Sequence, residues 1–247
     1  MHRYGQFCPI AAACEVFAER WTPLVLRELL CGSRRFNELR RGLPMMSRTL
    51  LAQRLRELET AGLVERVPKR NGRGFEYQPS RAGVELRPII MQLGEWGQRW
   101  LYARASKEDL DPGLLMWDMH RRIRTETLPA RRIVVQFEFH GLPRGTQGMK
   151  HWWLVLERPD VELCLKDPGH EVDVFIRADL LAMTRIWVGE QTFAAAARQR
   201  SIAFRGAPAL VKAFPGWLKL GTFAPTAHRS DGRNRSAAAS NRGTAGK

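Results

Sequence analysis

The stretch Ser47-Arg48-Thr49-Leu50-Leu51-Ala52-Gln53-Arg54-Leu55-Arg56-Glu57-Leu58-Glu59-Thr60-Ala61-Gly62-Leu63-Val64-Glu65-Arg66-Val67 reads as one helix, a stop and a strand. At about 100° per residue, the segment from Arg48 to Thr60 stacks Leu51, Leu55 and Leu58 on one stripe, as a core-facing helix requires. Ser47 is placed to cap it and Gly62 to end it. The opposite side carries Thr49, Gln53 and Arg56, with Arg48 in the first turn and the small Ala52 nearby. Hydrogen-bonding groups with little bulk let a helix enter a major groove, where Arg reads guanine and Gln reads adenine through paired hydrogen bonds. A solvated helix face has a similar composition, so the flanking segments must decide between the two.

Downstream, Leu63 to Val67 and Phe75-Glu76-Tyr77 read as two strands joined by the turn Lys69-Arg70-Asn71-Gly72-Arg73-Gly74. The hairpin tip therefore carries Lys69, Arg70 and Arg73. Upstream, three helices are expected: Pro9 to Glu19 with Ile10, Ala13, Cys14 and Phe17 inward; a second capped by Thr22, with Pro23 at its first position, ending at Gly32; and Phe36 to Leu43, stopped by Pro44. Helices followed by a basic hairpin are the order of a winged helix, in which one helix docks in a groove and the hairpin reaches a flanking backbone or the minor groove. Beyond it, Ser80 opens another helical region that Pro88 kinks or restarts. From there Ile89, Leu93, Trp96 and Trp100 recur at helical spacing, a stripe that packs on the second domain or, as the two half-sites of two-fold readers favour, on the same helix of a second chain.

Several separated motifs resemble the HxlR family of winged-helix transcriptional regulators: Cys8-Pro9, Arg20-Trp21-Thr22, Leu26-Arg27-Glu28-Leu29-Leu30, Arg35-Phe36-Asn37-Glu38-Leu39, the run from Ser47 to Val64, and Trp96-Gly97. The likeness covers residues 8 to 103. It implies a cytoplasmic bacterial dimer that binds operator DNA and, in some members, responds to a chemical signal. It also matches Cys8 to a position where several such regulators sense electrophiles or oxidants. Cys8 stands immediately before a predicted helix, where thiolate is favoured, although a free cysteine is also a common packing residue. Cys14 and Cys31 are expected as small core residues.

Composition agrees with two soluble domains. The 247 residues are 44% hydrophobic and 26% charged, which excludes a collagenous, wholly disordered or disulfide-stapled chain. No run of 18 apolar residues and no secretory leader is read, which makes the cytoplasm the expected compartment and a membrane partner unexpected. The net charge of +15 is concentrated at the ends: residues 1–105 hold 18 basic against 10 acidic side chains, residues 106–225 hold 17 against 14, and residues 226–247 hold 5 against 1. A surplus of cations in one domain suits phosphate neutralisation. The four cysteines, Cys8, Cys14, Cys31 and Cys164, and the six histidines show no metal-ligand spacing, so neither a metal nor a cofactor is expected.

The boundaries read from the sequence are a winged-helix and dimerisation domain at 1–105, a linker at 106–113 ending in the Pro112-Gly113 breaker, a second domain at 114–225, and a disordered basic tail at 226–247. In the second domain, strands at Ile133–Phe139, Trp152–Leu156, Val161–Leu165 and Val172–Ile176 suggest an antiparallel meander. Asp179 then caps a helix to Val188, Thr192 starts another, and a strand at Ile202–Gly206 precedes a closing helix at Pro208–Phe214. The fold class is α+β, with helices over one sheet face. The second domain resembles the sterol-carrier-protein fold, which implies an apolar cavity for a small apolar ligand. Phe175, Leu181, Met183, Ile186, Trp187, Phe193 and Phe214 are the candidate lining, although such residues also simply fill cores.

No G-x-S-x-G, Walker A, G-x-G-x-x-G or H-E-x-x-H sequence occurs, so an enzyme is not expected. The reading is a sequence-specific, homodimeric regulator that binds double-stranded DNA. The competing readings are a lipid or acyl-chain carrier without operator affinity, and an architectural protein indifferent to DNA sequence.

Overall fold

The structure is a computed structural model that describes residues 4–69, 72, 74–101 and 107–224. The chain separates into two compact units, Met1–Gly94 and Glu95–Lys247, the division falling inside one helix. Arg70 and Arg73 of the hairpin tip, and the tail expected at 226–247, lie outside the described residues.

In the first unit, α1 (Pro9–Phe17), α2 (Thr22–Leu30), α3 (Phe36–Gly42) and α4 (Arg48–Thr60) precede a hairpin of β1 (Val64–Pro68) and β2 (Phe75–Pro79). Then come α5 (Arg81–Glu85) and α6 (Arg87–Trp100), so the helical region restarts just ahead of Pro88. Val25, Leu26 and Leu29 of α2, Leu39 of α3 and Leu51, Leu55 and Leu58 of α4 form one buried cluster, closed by Val64 and Ile90. The hairpin is antiparallel, with Val64 opposite Pro79 and Pro68 opposite Phe75. The Tyr77 amide donates to the Arg34 carbonyl at 2.8 Å, which ties β2 to the α2–α3 junction. Gly83 explains itself by proximity, since a Cβ there would lie 2.1 Å from the Leu63 carbonyl oxygen.

Local expectations shift in two places. Trp21, not Thr22, stands at the N-cap of α2, with φ of 77°, and Thr22 is buried as the first helical residue. A bulky residue in the left-handed region is unusual, and packing against the unit's core holds it there. In α1, Phe17 packs against the core as expected, but Ala11 is the buried residue and Ile10 is exposed.

In the second unit, α7 (Pro112–His120) precedes β3 (Ile133–His140), β4 (His151–Glu157), β5 (Asp160–Cys164), β6 (Val174–Asp179), α8 (Leu180–Trp187), α9 (Phe193–Arg198), β7 (Ile202–Gly206) and α10 (Pro208–Trp217). The Asp111-Pro112-Gly113 sequence starts α7 instead of breaking structure, because the Asp111 carboxylate accepts from the Leu114 amide at 2.8 Å and Pro112 sits in the first turn. The sheet order is β5-β4-β3-β6-β7. Strands β3, β4 and β5 form the expected meander, but β6 returns parallel to β3, with Val135 opposite Val174, and not antiparallel beside β5. One face, including Val135, Phe137, Phe139, Leu154 and Ile176, packs with Met116, Met119, Met183, Ile186 and Phe214 from the helices.

Candidate nucleic-acid interface

Helix α4 presents two chemically distinct sides because its leucines recur at three and four residues. Leu51, Leu55 and Leu58 are buried, while Arg48, Thr49, Gln53 and Arg56 are all exposed. The helix start is fixed by the Ser47 hydroxyl, which accepts from the Leu50 amide at 3.2 Å. Helix α3, which precedes it, is started by Glu38, whose carboxylate accepts from the Arg34 and Arg35 amides at 2.8 and 3.0 Å. Side chains at 48, 49, 53 and 56 thus share one capped helix, which holds them in a more definite arrangement than a loop would.

A chain of side-chain bonds runs beside that face. Gln53 Nε2 donates to Glu57 Oε1 at 2.9 Å, and Glu57 Oε2 accepts from Arg54 Nη1. Arg54, 12% exposed, spends its other nitrogens on the turn between α1 and α2, donating from Nη2 to Glu19 Oε2 at 3.0 Å and from Nε to the Arg20 carbonyl at 3.1 Å. Burial pushes the Glu57 carboxyl up, but the hydrogen bonds from Gln53 and Arg54 and the Arg54 charge outweigh it and hold the group below its ordinary value. Arg54 and Glu57 were not among the sequence-expected contacts. Their i, i+3 and i, i+4 spacing with each other and Gln53 is a legible signal; the link to Glu19, 35 residues away, is not.

The hairpin supplies a second surface. Its turn is closed by Lys69 N–H to the Gly74 carbonyl at 3.1 Å, and the Lys69 side chain is half-buried. The Arg66 guanidinium lies 4.1 Å from the ring centroid of the exposed Phe75, a basic and aromatic pair that the sequence reading passed over.

Ile89, Leu93, Trp96 and Trp100 form an exposed stripe along α6, each 47–53% accessible, while Ile90 anchors the helix to the core. Cys8 is half-buried at the N-cap of α1. Cys14 is half-buried and Cys31 exposed, so neither is the core residue expected. In the second unit, Met183, Ile186, Trp187, Phe193 and Phe214 pack in the core, with the Phe214 ring 5.9–6.3 Å from Phe137, Phe193, Phe204 and Trp217. Phe175 does not join them, because alternation along β6 turns it to the other sheet face, 41% exposed. Leu181 is half-buried outside that cluster, one position off the inward stripe of α8. Cys164 lies on β5. Burial and the neighbouring Glu162 push its thiol up, which disfavours the thiolate.

Comparison with known proteins bears on the first unit and the residues that follow it to the end of α6. Residues 16–105 match the model of the HxlR-like helix-turn-helix family. The HTH-type transcriptional regulator YvaP of Bacillus subtilis (strain 168) is 35% identical over 100 residues, which span 39% of this chain and 92% of that protein. Another regulator of this type from the same organism, YkvN, is 35% identical over 113 residues, 42% of this chain and 92% of its own length. Among solved structures, the reduced form of the transcriptional regulator YodB from B. subtilis is 29% identical, covering 40% of this chain and 98% of that one, with a TM-score of 0.35.

Proposed function

The chain belongs to the HxlR-like helix-turn-helix family of transcriptional regulators, DNA-binding proteins and not enzymes, and from that premise we propose that α4 is its reading element. Thr49, Gln53 and Arg56 meet base edges and Arg48 meets the entrance to the groove or a nearby phosphate, while Lys69, Arg70 and Arg73 anchor the hairpin on the flanking backbone. The observation that carries this reading is the division of α4 into a fully buried leucine side and an exposed polar side on one capped helix. The exposed α6 stripe of Ile89, Leu93, Trp96 and Trp100 supports a homodimer, because contiguous apolar surface of this size on one helix is costly to leave in water. Among the described residues no helix is long and apolar enough to cross a membrane.

The second unit's element order and helix-packed sheet face support an accessory module of sterol-carrier-protein-like architecture. Its aromatic interior is closely packed around Phe214, which favours a structural role over carriage of a small apolar ligand. Cys8 keeps a sensing role in this reading, on its half-buried place at the start of α1; alkylation that changes duplex affinity in the wild type but not in Cys8→Ser tests it.

Selection of bound duplexes from a random pool tests the main reading. A recurring sequence, with Gln53→Ala lowering discrimination between it and random DNA by roughly 5- to 150-fold, is expected. Arg70→Ala should weaken both duplexes alike and flatten the salt dependence. A pool that emerges without any preferred sequence would overturn the assignment.

A further inference from the structure

A glutamine reads adenine by donating from its amide nitrogen and accepting at its amide oxygen, so it must present the two in the correct order. Free in solution, the amide turns over readily. In this protein it is not free to choose, because Gln53 Nε2 is 2.9 Å from a carboxylate oxygen of Glu57, which can accept from the nitrogen but can offer nothing to the oxygen. One amide hydrogen is thereby committed along the helix surface to the next turn, and the second hydrogen and the oxygen remain for an outside partner. Glu57 is itself held by Arg54, whose two other nitrogens are committed to Glu19 and to the Arg20 carbonyl in the α1–α2 turn.

We propose that Glu57 and Arg54 are positioning residues for Gln53: they fix the orientation of its amide on the reading face and make that orientation depend on the α1–α2 turn. The inference rests on the base-contacting role given above to Gln53. Its physical content is pre-organisation. A side chain already held in its bound rotamer loses less freedom on binding, and only the sequence that matches the held orientation gains from it. The effect therefore falls on discrimination and leaves general affinity for the phosphate backbone largely untouched. Removing the Glu57 carboxylate also removes a negative charge beside the polyanion, so affinity for random DNA should hold or rise. Glu19 is the informative end of the relay. It sits outside α4 in the turn that follows α1 and bonds α4 through Arg54, so an effect of Glu19 on sequence preference that depends on Gln53 reports on the relay.

The test uses the full-length protein, the duplex recovered by selection and a random duplex of the same length, with thermal melting to establish that each variant is folded. Glu57→Ala should lower the ratio of the two affinities by about 3- to 10-fold, on the scale of one oriented hydrogen bond, without weakening random-duplex binding. Glu19→Ala should lower it in the same direction and less. Both effects should vanish when made on top of Gln53→Ala, because nothing remains to be positioned. If Glu57→Ala and Glu19→Ala lower discrimination equally with and without Gln53, or leave it unchanged, the positioning role is wrong while the reading of Gln53 stands. If Gln53→Ala itself leaves discrimination unchanged, the base-contacting role falls first. Should Glu57→Ala fail to fold, Glu57→Gln serves in its place. It replaces one of the two accepting oxygens with an NH2 donor, so Gln53 and Arg54 cannot both keep the oxygen that each now bonds; it too should lower discrimination, and an unaltered ratio in a folded Glu57→Gln protein counts against the proposal.

Discussion

Glu28 is the residue whose surroundings are least forgiving. It is fully buried, takes a hydrogen bond from Arg27 Nη2 at 2.9 Å and another from Ser33 at 3.1 Å, and its carboxyl group lies against Gly42. A Cβ on Gly42 would stand 2.0 Å from that group, and Arg27 Nη2 also donates to the Gly42 carbonyl at 2.9 Å, so neither partner can move alone. Gly42→Ala should therefore cost about 1–3 kcal/mol, read as a lower denaturant midpoint; an unchanged midpoint would mean α3 shifts freely. Glu57 gives a second prediction at this scale. Its carboxyl is held below the ordinary value of 4.5, so the folded form binds protons less readily than the unfolded one. Its contribution is present above that ordinary value and disappears as pH falls through the lowered one. The stability gap between wild type and Glu57→Gln should accordingly narrow on acidification below about pH 4.5. A gap that is constant from pH 7 to pH 3 would show that the carboxylate is not what the Gln53 and Arg54 bonds stabilise.

Helix α4 depends on its cap and on its leucines in separable ways. Ser47→Ala removes the hydroxyl bonded to Leu50 and should cost about 0.5–2 kcal/mol, whereas Leu55→Ala empties a buried core position and should cost about 2–5 kcal/mol. Urea titration of both variants separates the two, and a larger loss for Ser47→Ala would invert the assignment of what holds the helix. These elements were legible because their signals are local: a 3.6-residue leucine period, Ser47 before it, Gly62 after it. The hairpin was legible for the same reason. Helix α7 was not, because Pro112-Gly113 carries the same residues whether it breaks a chain or opens a helix, and only the Asp111 carboxylate on the Leu114 amide separates the cases. Likewise, nothing in the alternation of β6 says which strand it joins, since its parallel partner β3 lies across two intervening strands. At the interface, the exposed residues of α4 could be read from periodicity, but the hold that Glu19 and Arg20 exert on Arg54 depends on the packing of separate helices.

For the whole molecule, the proposed dimer makes a prediction about charge as well as mass. Trp96→Glu places a carboxylate in the middle of the apolar α6 stripe, where pairing with a second copy would bury it unpartnered. Light scattering should find the variant at half the mass of the wild type. With one reading helix per particle instead of two, the slope of affinity against salt concentration should fall to about half. A variant that keeps its mass would remove α6 from the interface.

The order β5-β4-β3-β6-β7 also sets a timetable for synthesis. The strand made first in the second unit ends up central, and the strand that covers the free side of β6 is made last, at Ile202–Gly206, followed by the helix that delivers Phe214. A ribosome that stalls before Ile202 therefore releases a chain whose β6 backbone groups point at water with nothing beside them, an invitation to sister chains. Shortened products of this protein should be found in inclusion bodies, and nonsense changes in this stretch should remove the regulator altogether instead of yielding a trimmed one.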